Sequence, residues 1–266
     1  MRGADTVGLL GIGHIAAALV AGWRLGDDGP RHLLLSPRNA ETAARLTATY
    51  AGVEMAADNQ AVLDRAETII LCLRPQVVEA ALAPLRFTAR HRIVSLVAAL
   101  DLDRVAAMVA PARDIVRAVP MPFAAARRGP LAIFPHSAWA SALLAPLGDV
   151  IAAPTAAAYD RFCSVTAMMS AYFRFLGTVT DWLAADGIPP DLAARYVAGQ
   201  FDALSREPAR VPTIDFDRLI AGFATKGGIN EQLRRDLEAA GVFEALTGAL
   251  DRVLDRVEGH QSLPSD

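Results

Sequence analysis

Short apolar runs alternate with segments of helical period through residues 1–154. Eight of these runs predict β-strands, and in chain order they read TVGLLGIG, HLLLS, VEMA, TIILCL, RIVSLVAAL, DIVRAVPMP, LAIFP and DVIAAP. Runs that are apolar at every position are typical of strands covered on both faces, as in parallel sheets. Their alternation with helical segments predicts an α/β domain built on a doubly wound parallel sheet.

The pattern changes after Pro154, because no strand-like run follows Thr155. Apolar positions then recur with helical spacing in AAAYDRFCSVTAMMSAYFRFLGTVTDWLAADG, PDLAARYVAGQFDALSRE, DFDRLIAGFA and INEQLRRDLEAAGVFEALTGALDRVLDRVEG, the last of which reads as one or two helices. We therefore predict a sheet domain at residues 1–154 and an all-helical domain at residues 155–266. A helical domain this small buries few apolar side chains alone, so we expect it to form a homodimer or a higher homo-oligomer.

The composition is that of a folded chain with a sizeable core. Hydrophobic residues make up 53% of the 266 residues and charged residues 21%. A net charge of −3 and a pI near 6.0 argue against a nucleic-acid partner, which usually needs a basic face. The first residues lack the apolar segment and cleavage site of a signal peptide. No apolar run reaches the length of about 20 residues that spans a bilayer. We expect a cytoplasmic protein with no membrane partner.

The two cysteines, Cys72 and Cys163, are far apart in the chain. Their spacing supports neither a disulfide framework nor a metal site, so no metal is expected. Both are interpreted as small buried hydrophobic residues.

A glycine motif follows the first predicted strand and opens the first helix: Gly11-Ile-Gly13-His14-Ile15-Ala16. This is the dinucleotide-binding fingerprint of a Rossmann-type fold, in its required context. Gly11 would make the tight turn, Gly13 would let a pyrophosphate approach the backbone, and Ala16 would keep helix and sheet close. The free N–H groups at the helix start, at His14 and Ile15, would bind the phosphates. The alternative is a glycine turn in the same fold without a nucleotide.

The end of the second strand indicates which nicotinamide coenzyme would bind. It reads L-L-L-S-P-R-N, with Ser36 and Arg38 but without the carboxylate that commonly binds the ribose of NAD. A hydroxyl and a guanidinium suit a 2′-phosphate, because arginine binds phosphate in a forked geometry. The sequence therefore favours NADP(H) over NAD(H). The alternative for Arg38 is an ordinary solvated surface charge.

Further motifs occur in the order found in one enzyme family. The first two are the glycine fingerprint and Asn59 near the start of a helix. Leu73-Arg74-Pro75 then stands where that family has a Val-Lys-Pro turn, and Ser95-Leu-Val-Ala98-Ala99 stands where it has a Ser-x-x-Ala-Gly stretch. Arg117-Ala-Val-Pro120-Met-Pro-Phe corresponds to Arg-x-Met-Pro-Asn-Thr-Pro, and Thr225-Lys226-Gly227-Gly228-Ile229-Asn230 corresponds to Ser-Pro-Gly-Gly-Thr-Thr. With these motifs the chain resembles the pyrroline-5-carboxylate reductases over nearly its whole length.

The resemblance implies a Rossmann domain followed by a helical dimerisation domain. It implies reduction of a cyclic imine, Δ1-pyrroline-5-carboxylate, to proline by NAD(P)H. By the same resemblance the coenzyme is lined by Gly11, Gly13, Ser36, Arg38, Asn59, Leu73, Arg74, Pro75 and Ala98. The turn at Gly227 and Gly228 would hold the carboxylate of a small anionic imine substrate.

The chain departs from the family mainly in the substrate motifs. Met121 and Pro122 replace the Asn and Thr of Met-Pro-Asn-Thr-Pro. Asn230 replaces the second Thr of the glycine turn, and Lys226 replaces the Pro before the two glycines. The resemblance therefore implies the reaction class more firmly than it implies the substrate.

Lys226 is the only lysine of the chain. A glycine turn that enters a helix offers backbone N–H groups and the positive end of a helix dipole, and Lys226 would add a full charge to this anion site. Asn230 would donate its amide to the substrate, as the one candidate catalytic residue, or cap the helix. The alternative for Lys226 is a solvated loop charge.

The leading hypothesis is an NADPH-dependent reductase of a small cyclic imine carboxylate. A second is a reductase of another imine or of a keto acid on the same architecture. The keto acid is less favoured, because the long helix lacks the catalytic lysine of similarly built hydroxyacid dehydrogenases. A third is a non-catalytic NADP-binding regulatory protein, since a fold does not determine a function.

Overall fold

The computed structural model describes residues 6–211 and 213–260. The described chain forms two compact units, one of residues 6–164 with 254–260 and one of residues 165–253. The α/β architecture with a helical region after it is confirmed. The predicted domain boundary at residues 154/155 stays a prediction.

All eight predicted strands are present and form one sheet with the order β3-β2-β1-β4-β5-β6-β7-β8. Their bounds are β1 Thr6–Leu10, β2 His32–Leu35, β3 Val53–Met55, β4 Thr68–Leu71, β5 Arg92–Ser95, β6 Asp114–Val119, β7 Pro130–Phe134 and β8 Asp149–Ala152. The chain winds outward from β1 in both directions, first through β2 and β3 and then through β4, β5 and β6. This is the doubly wound order, with its reversal between β1 and β4.

The expectation of a parallel sheet holds for β1 to β6, but the last two strands both run opposite to these six. β7 pairs antiparallel with β6, whereas β8 pairs parallel with β7. A parallel pair needs a long crossover, usually a helix, between its strands. The connection from β6 to β7 contains only the short 3₁₀ segment Pro122–Ala126, so the chain turns back instead of crossing over.

Helices cover both faces of this sheet. They are α1 His14–Trp23, α2 Ala40–Thr49, α3 Asn59–Arg65, α4 Pro75–Leu82, α5 Leu102–Met108, α6 Ala138–Leu144 and α7 Ala156–Val165. One buried cluster joins Trp23 and Leu19 of α1 to Leu144 of α6, and a second joins Val78 of α4 to Val105 of α5. The continuous apolar runs of the sequence thus correspond to strands buried from both sides.

Helix α7 is fixed to the sheet by polar as well as apolar contacts. Tyr159 packs in a small buried cluster with Ala132 and Ala153. The guanidinium of Arg117 on β6 lies 4.4 Å from the centre of the Tyr159 ring, and its Nη2 donates to Asp160 Oδ1 at 2.9 Å. Arg117 is only 5% exposed, so this ion pair is buried between strand and helix.

The second unit is helical and begins with α8 Met168–Ala184. It continues through α9 Pro190–Arg206, α10 Phe216–Phe223, α11 Ile229–Ala239 and α12 Val242–Val257. The long helical segment of the sequence is therefore divided into α7 and α8. Helices α8, α10, α11 and α12 contain no fully buried residue among those described. Within the described ranges, no helix is both long enough and apolar enough to cross a membrane.

Candidate coenzyme site

The candidate coenzyme site lies where the winding of the sheet reverses. Strand β1 pairs with β2 on one side and β4 on the other, all parallel, so their carboxyl ends meet at one edge. The loops after these strands hold residues 11–13, 36–39 and 72–74. Ligands of open α/β sheets bind in the crevice at this reversal point.

The two glycines of the fingerprint differ in what surrounds them. Gly11 has a φ of +90°, and an added Cβ would lie 2.7 Å from the backbone oxygen of Cys72. Any other residue there would be strained and would clash with a rigid neighbour. Around Gly13, by contrast, an added Cβ meets no atom within 4 Å. Gly13 therefore leaves open space beside the backbone, as an approaching pyrophosphate requires.

The first turn of α1 faces this space. Gly13 is the N-cap of the helix, with no side chain capping the turn. His14 is exposed, Ile15 is half-buried and Ala16 is fully buried against the sheet. Since the first N–H groups of a helix lack intrahelical partners, this end carries partial positive charge and suits a phosphate.

Ser36 lies inside the site and not on its surface. It is 1% exposed, and its Oγ accepts a hydrogen bond from the Gly11 N–H at 2.9 Å. The hydroxyl that we expected to meet a phosphate therefore orders the glycine loop.

Asn39 is a site residue that the sequence reasoning missed. Its backbone is left-handed, with φ 71° and ψ 59°, and its Nδ2 donates to the Ile12 carbonyl at 2.8 Å. Asparagine is one of the few non-glycine residues that enter this conformation readily, which was the available signal.

Arg38 and Asn59 lie together. Both line an open depression with Pro37, Asp58, Gln60, Pro84 and Leu85. Asp58 caps helix α3 by accepting from the Ala61 N–H at 2.7 Å, and this places Asn59 at the first turn of that helix. The depression thus brings together one predicted residue from the end of β2 and one from the start of α3.

The other predicted coenzyme residues follow β4 and β5. Leu73 reaches the glycine turn, since an added Cβ on Gly11 would lie 3.0 Å from its Cδ2. Arg74 is exposed and precedes α4, which begins at Pro75. Ala98 is exposed and follows β5. Burial raises the pKa of the neighbouring Cys72 thiol to about 12, so that side chain is neutral and a poor nucleophile.

The predicted substrate turn belongs to the helical unit. Gly227 has a φ of +75°, and Gly228, the N-cap of α11, donates its N–H to the Thr225 carbonyl at 2.8 Å. Lys226 is exposed. The tight turn before a helix is present here as well.

Some donors of this turn are already bonded within the chain. The Gly227 N–H donates to Glu231 Oε2 at 2.6 Å, and Asn230 Nδ2 donates to the Phe223 carbonyl at 2.9 Å. Glu231 also forms an ion pair with Arg235 at 3.2 Å. Sequence reasoning missed Glu231, although an acid three residues after the N-cap commonly bonds back to the turn.

Comparison with known proteins adds relatives that extend over both units. A family model described as NADP oxidoreductase, coenzyme F420-dependent, matches residues 6–99. Pyrroline-5-carboxylate reductase of Corynebacterium melassecola is 24% identical, with 95% of this chain and 97% of that protein covered. The chain is therefore similar to pyrroline-5-carboxylate reductases over nearly its whole length.

Solved structures of pyrroline-5-carboxylate reductases share the fold. The pyrroline-5-carboxylate reductase of Streptococcus pyogenes superposes with a TM-score of 0.82 at 22% identity, covering 96% of this chain and 98% of that one. That of Plasmodium falciparum with NADP bound also has a TM-score of 0.82, at 13% identity, covering 98% and 100%. A reductive aminase of Aspergillus terreus in complex with NADPH and ethyl-5-oxohexanoate is more distant, with a TM-score of 0.60 at 17% identity, covering 97% and 92%.

Proposed function

We propose that this chain is an NADPH-dependent reductase of a small cyclic imine carboxylate, of the pyrroline-5-carboxylate type. The observation that carries the proposal is the glycine loop at the reversal point of the sheet, where Gly11 makes a tight turn that excludes a side chain and Gly13 leaves open space. The sequence relative that covers 95% of the chain is named for the same reaction.

The residues at the coenzyme edge fit a dinucleotide phosphate. Open space beside Gly13 accepts the pyrophosphate, and the first turn of α1 offers N–H donors to it. Arg38 would pair with the 2′-phosphate, since it is exposed and since Ser36-Pro37-Arg38-Asn39 after β2 contains no carboxylate to repel that group. We therefore propose NADP(H) as the preferred coenzyme. When bound, it supplies a hydride for the imine carbon.

The substrate carboxylate would bind at the turn of Lys226, Gly227 and Gly228. Lys226 supplies charge, and Asn230 would turn its amide from the Phe223 carbonyl to the substrate. The carboxylate of Glu231 holds the Gly227 N–H in the free chain, so an anionic substrate would have to displace it. A cyclic imine with a pKa near neutrality is partly protonated in neutral solution, so the protonated form can bind and the chain needs no strong acid at the nitrogen.

Glu231 also favours a second candidate, a reductase of an imine without a carboxylate. A fixed negative charge at this turn would attract a protonated imine and repel a substrate carboxylate. The keto-acid alternative has no such support, since Lys226 is the only lysine and α8 therefore contains none.

Steady-state oxidation of NADPH with Δ1-pyrroline-5-carboxylate and with unsubstituted 1-pyrroline distinguishes the two candidates. The proposal expects a higher kcat/KM for the carboxylate. Lys226→Ala should raise KM for the carboxylate about fivefold, as loss of an exposed contact of about 1 kcal/mol would. It should leave the KM for 1-pyrroline and the Kd of NADPH unchanged, and Lys226→Arg is the charge-conserving control. Preference for 1-pyrroline would favour the second candidate, and NADPH binding without turnover of either imine would contradict both.

We further propose that the helical unit forms a homodimer. Trp182, Ile229 and Phe173 are 72%, 83% and 62% exposed in the single chain, and burial of such large apolar side chains is typical of protein interfaces. In sedimentation equilibrium, Trp182→Glu should shift the protein from dimer to monomer. Leu25→Glu, at an exposed leucine of the sheet unit, is the matched control and should remain dimeric. A wild-type protein that sediments as a monomer would overturn the proposal.

A further inference from the structure

We propose that Asn39 is a positioning residue that sets coenzyme selectivity by holding Arg38 in place. This inference rests on the proposed function only in taking Arg38 as the contact to the 2′-phosphate. It assigns no contact between Asn39 and the coenzyme.

Arg38 lies in a short span, residues 36–39, that is hydrogen-bonded to the glycine loop at both ends. On one side the Oγ of Ser36 accepts from the Gly11 N–H at 2.9 Å. On the other side Asn39 Nδ2 donates to the Ile12 carbonyl at 2.8 Å. Only Pro37 and Arg38 lie between the two hydrogen-bonded residues, and the ring of Pro37 restricts its own φ. The backbone of Arg38 is therefore held relative to the loop that would bind the pyrophosphate.

Asn39 makes this contact instead of a local one. It occupies the N-cap of α2, where an asparagine side chain normally accepts a hydrogen bond from the first turn of its own helix. Here the side chain forms no such cap and reaches across to Ile12, 27 residues earlier in the sequence. Its left-handed backbone turns the chain at the point where the span ends. The backbone conformation of Asn39 and its hydrogen bond to Ile12 therefore indicate that this residue positions the span and does not serve to stabilise α2.

Holding Arg38 in place would affect the affinity for NADPH and not the affinity for NADH. Arginine loses considerable side-chain freedom when it binds a phosphate, and a fixed backbone reduces the further ordering that binding requires. NADH lacks the 2′-phosphate, so its affinity does not depend on where Arg38 lies. Loss of the hydrogen bond that holds the span should therefore weaken the binding of NADPH more than the binding of NADH.

The test is fluorescence titration of NADPH and NADH against the full chain and its variants. Asn39→Gly keeps the left-handed backbone and removes the hydrogen bond. It should raise the Kd of NADPH about tenfold, as ordering of one or two further torsions would, and change the Kd of NADH less than twofold. The control for lost stability alone is Ser137→Ala. It removes the N-cap of α6, where Ser137 Oγ accepts a hydrogen bond from the Ala140 N–H.

A double-mutant cycle with Arg38→Ala decides whether Asn39 acts through Arg38. In the Arg38→Ala background, Asn39→Gly should have no further effect on NADPH binding. Additive losses, or equal losses for NADPH and NADH, would mean that Asn39 supports the fold only. An Arg38→Ala variant with wild-type preference for NADPH would also overturn the inference. None of these titrations uses an imine, so turnover of the imine tests the proposed function separately.

Discussion

Ala99 is held in a conformation that suits glycine better than alanine. Its φ is +53°, and it stands where the family motif Ser-x-x-Ala-Gly has its glycine. A left-handed backbone costs an L-residue about 1–2 kcal/mol, whereas glycine loses about 0.5–1 kcal/mol more chain entropy on folding. Ala99→Gly should therefore raise the free energy of unfolding by about 0.5–1 kcal/mol. Urea denaturation monitored by circular dichroism measures this.

The neighbouring residue is the matched control. Ala98 is equally exposed but is not among the described residues with positive φ, so Ala98→Gly should lower the free energy of unfolding by about 0.5–1 kcal/mol. If both variants are destabilised, backbone strain at Ala99 is not the explanation.

His91 should make the stability of the sheet unit depend on pH. It is 1% exposed, its Nδ1 accepts from the Thr88 N–H at 3.0 Å, and its Nε2 lies 3.0 Å from the Leu63 carbonyl. The ring therefore carries its proton on Nε2 and is neutral. Burial lowers its pKa from the ordinary 6.5. As pH falls below 6.5, the unfolded chain binds this proton before the folded chain does, so stability is lost from there downward.

Urea unfolding from pH 7.5 to pH 5 measures this dependence. His91→Gln should lower stability at pH 7.5 and reduce the loss of stability on acidification. His136→Gln, at an exposed histidine, should retain the wild-type loss. An unchanged loss in His91→Gln would assign the acid sensitivity to other groups.

The site residues that could be predicted are those whose role is set locally. Gly11 was predicted from its motif, since the turn that needs a positive φ is formed by adjacent residues. The partners of Ser36 and Asn39 could not be predicted, because they lie 25 and 27 residues away and are chosen by the loop packing. The same holds at the second turn, where the bond between Gly227 and Glu231 depends on the orientation of one side chain.

At the scale of elements, apolar runs predicted the existence of every strand but not the reversed direction of β7 and β8. Periodicity reports which faces are buried, and a reversed strand buries the same residues. The division between α7 and α8 was also not predicted, because no Gly or Pro in the sequence marks it. Ser164 Oγ donates to the Asp160 carbonyl at 2.9 Å at this point, and such a bond to the preceding turn bends helices.

The ion pair between β6 and α7 should contribute strongly to the attachment of that helix. Asp160→Ala would leave Arg117 buried without its partner, which costs about 3–5 kcal/mol for a fully buried pair and less here, since the Asp160 side chain is 17% exposed. Urea denaturation should show this loss. The double variant Arg117→Met with Asp160→Leu removes both charges and should be the more stable of the two. A double variant less stable than Asp160→Ala would contradict this account.

At the scale of the whole molecule, composition and pattern predicted one sheet unit and one helical unit, each with a glycine turn before a helix. Which atoms of each unit meet a ligand depends on bound geometry that no pattern in the sequence encodes. The central proposal is therefore chemical: the edge of the sheet at Gly11 and Gly13 would hold NADPH, and the chain would transfer a hydride from it to an imine carbon.

Transfer of deuterium tests this claim most directly. NADPH deuterated at its transferable hydride position is incubated with Δ1-pyrroline-5-carboxylate or 1-pyrroline, and the product is analysed by mass spectrometry and NMR. The matched control is Gly13→Val, whose Cβ meets no atom of the folded chain within 4 Å but fills the space proposed for the pyrophosphate. The account predicts one deuterium on the former imine carbon with the wild-type protein and none with folded Gly13→Val. Unlabelled substrate from the wild-type protein, or full transfer by Gly13→Val, would contradict it.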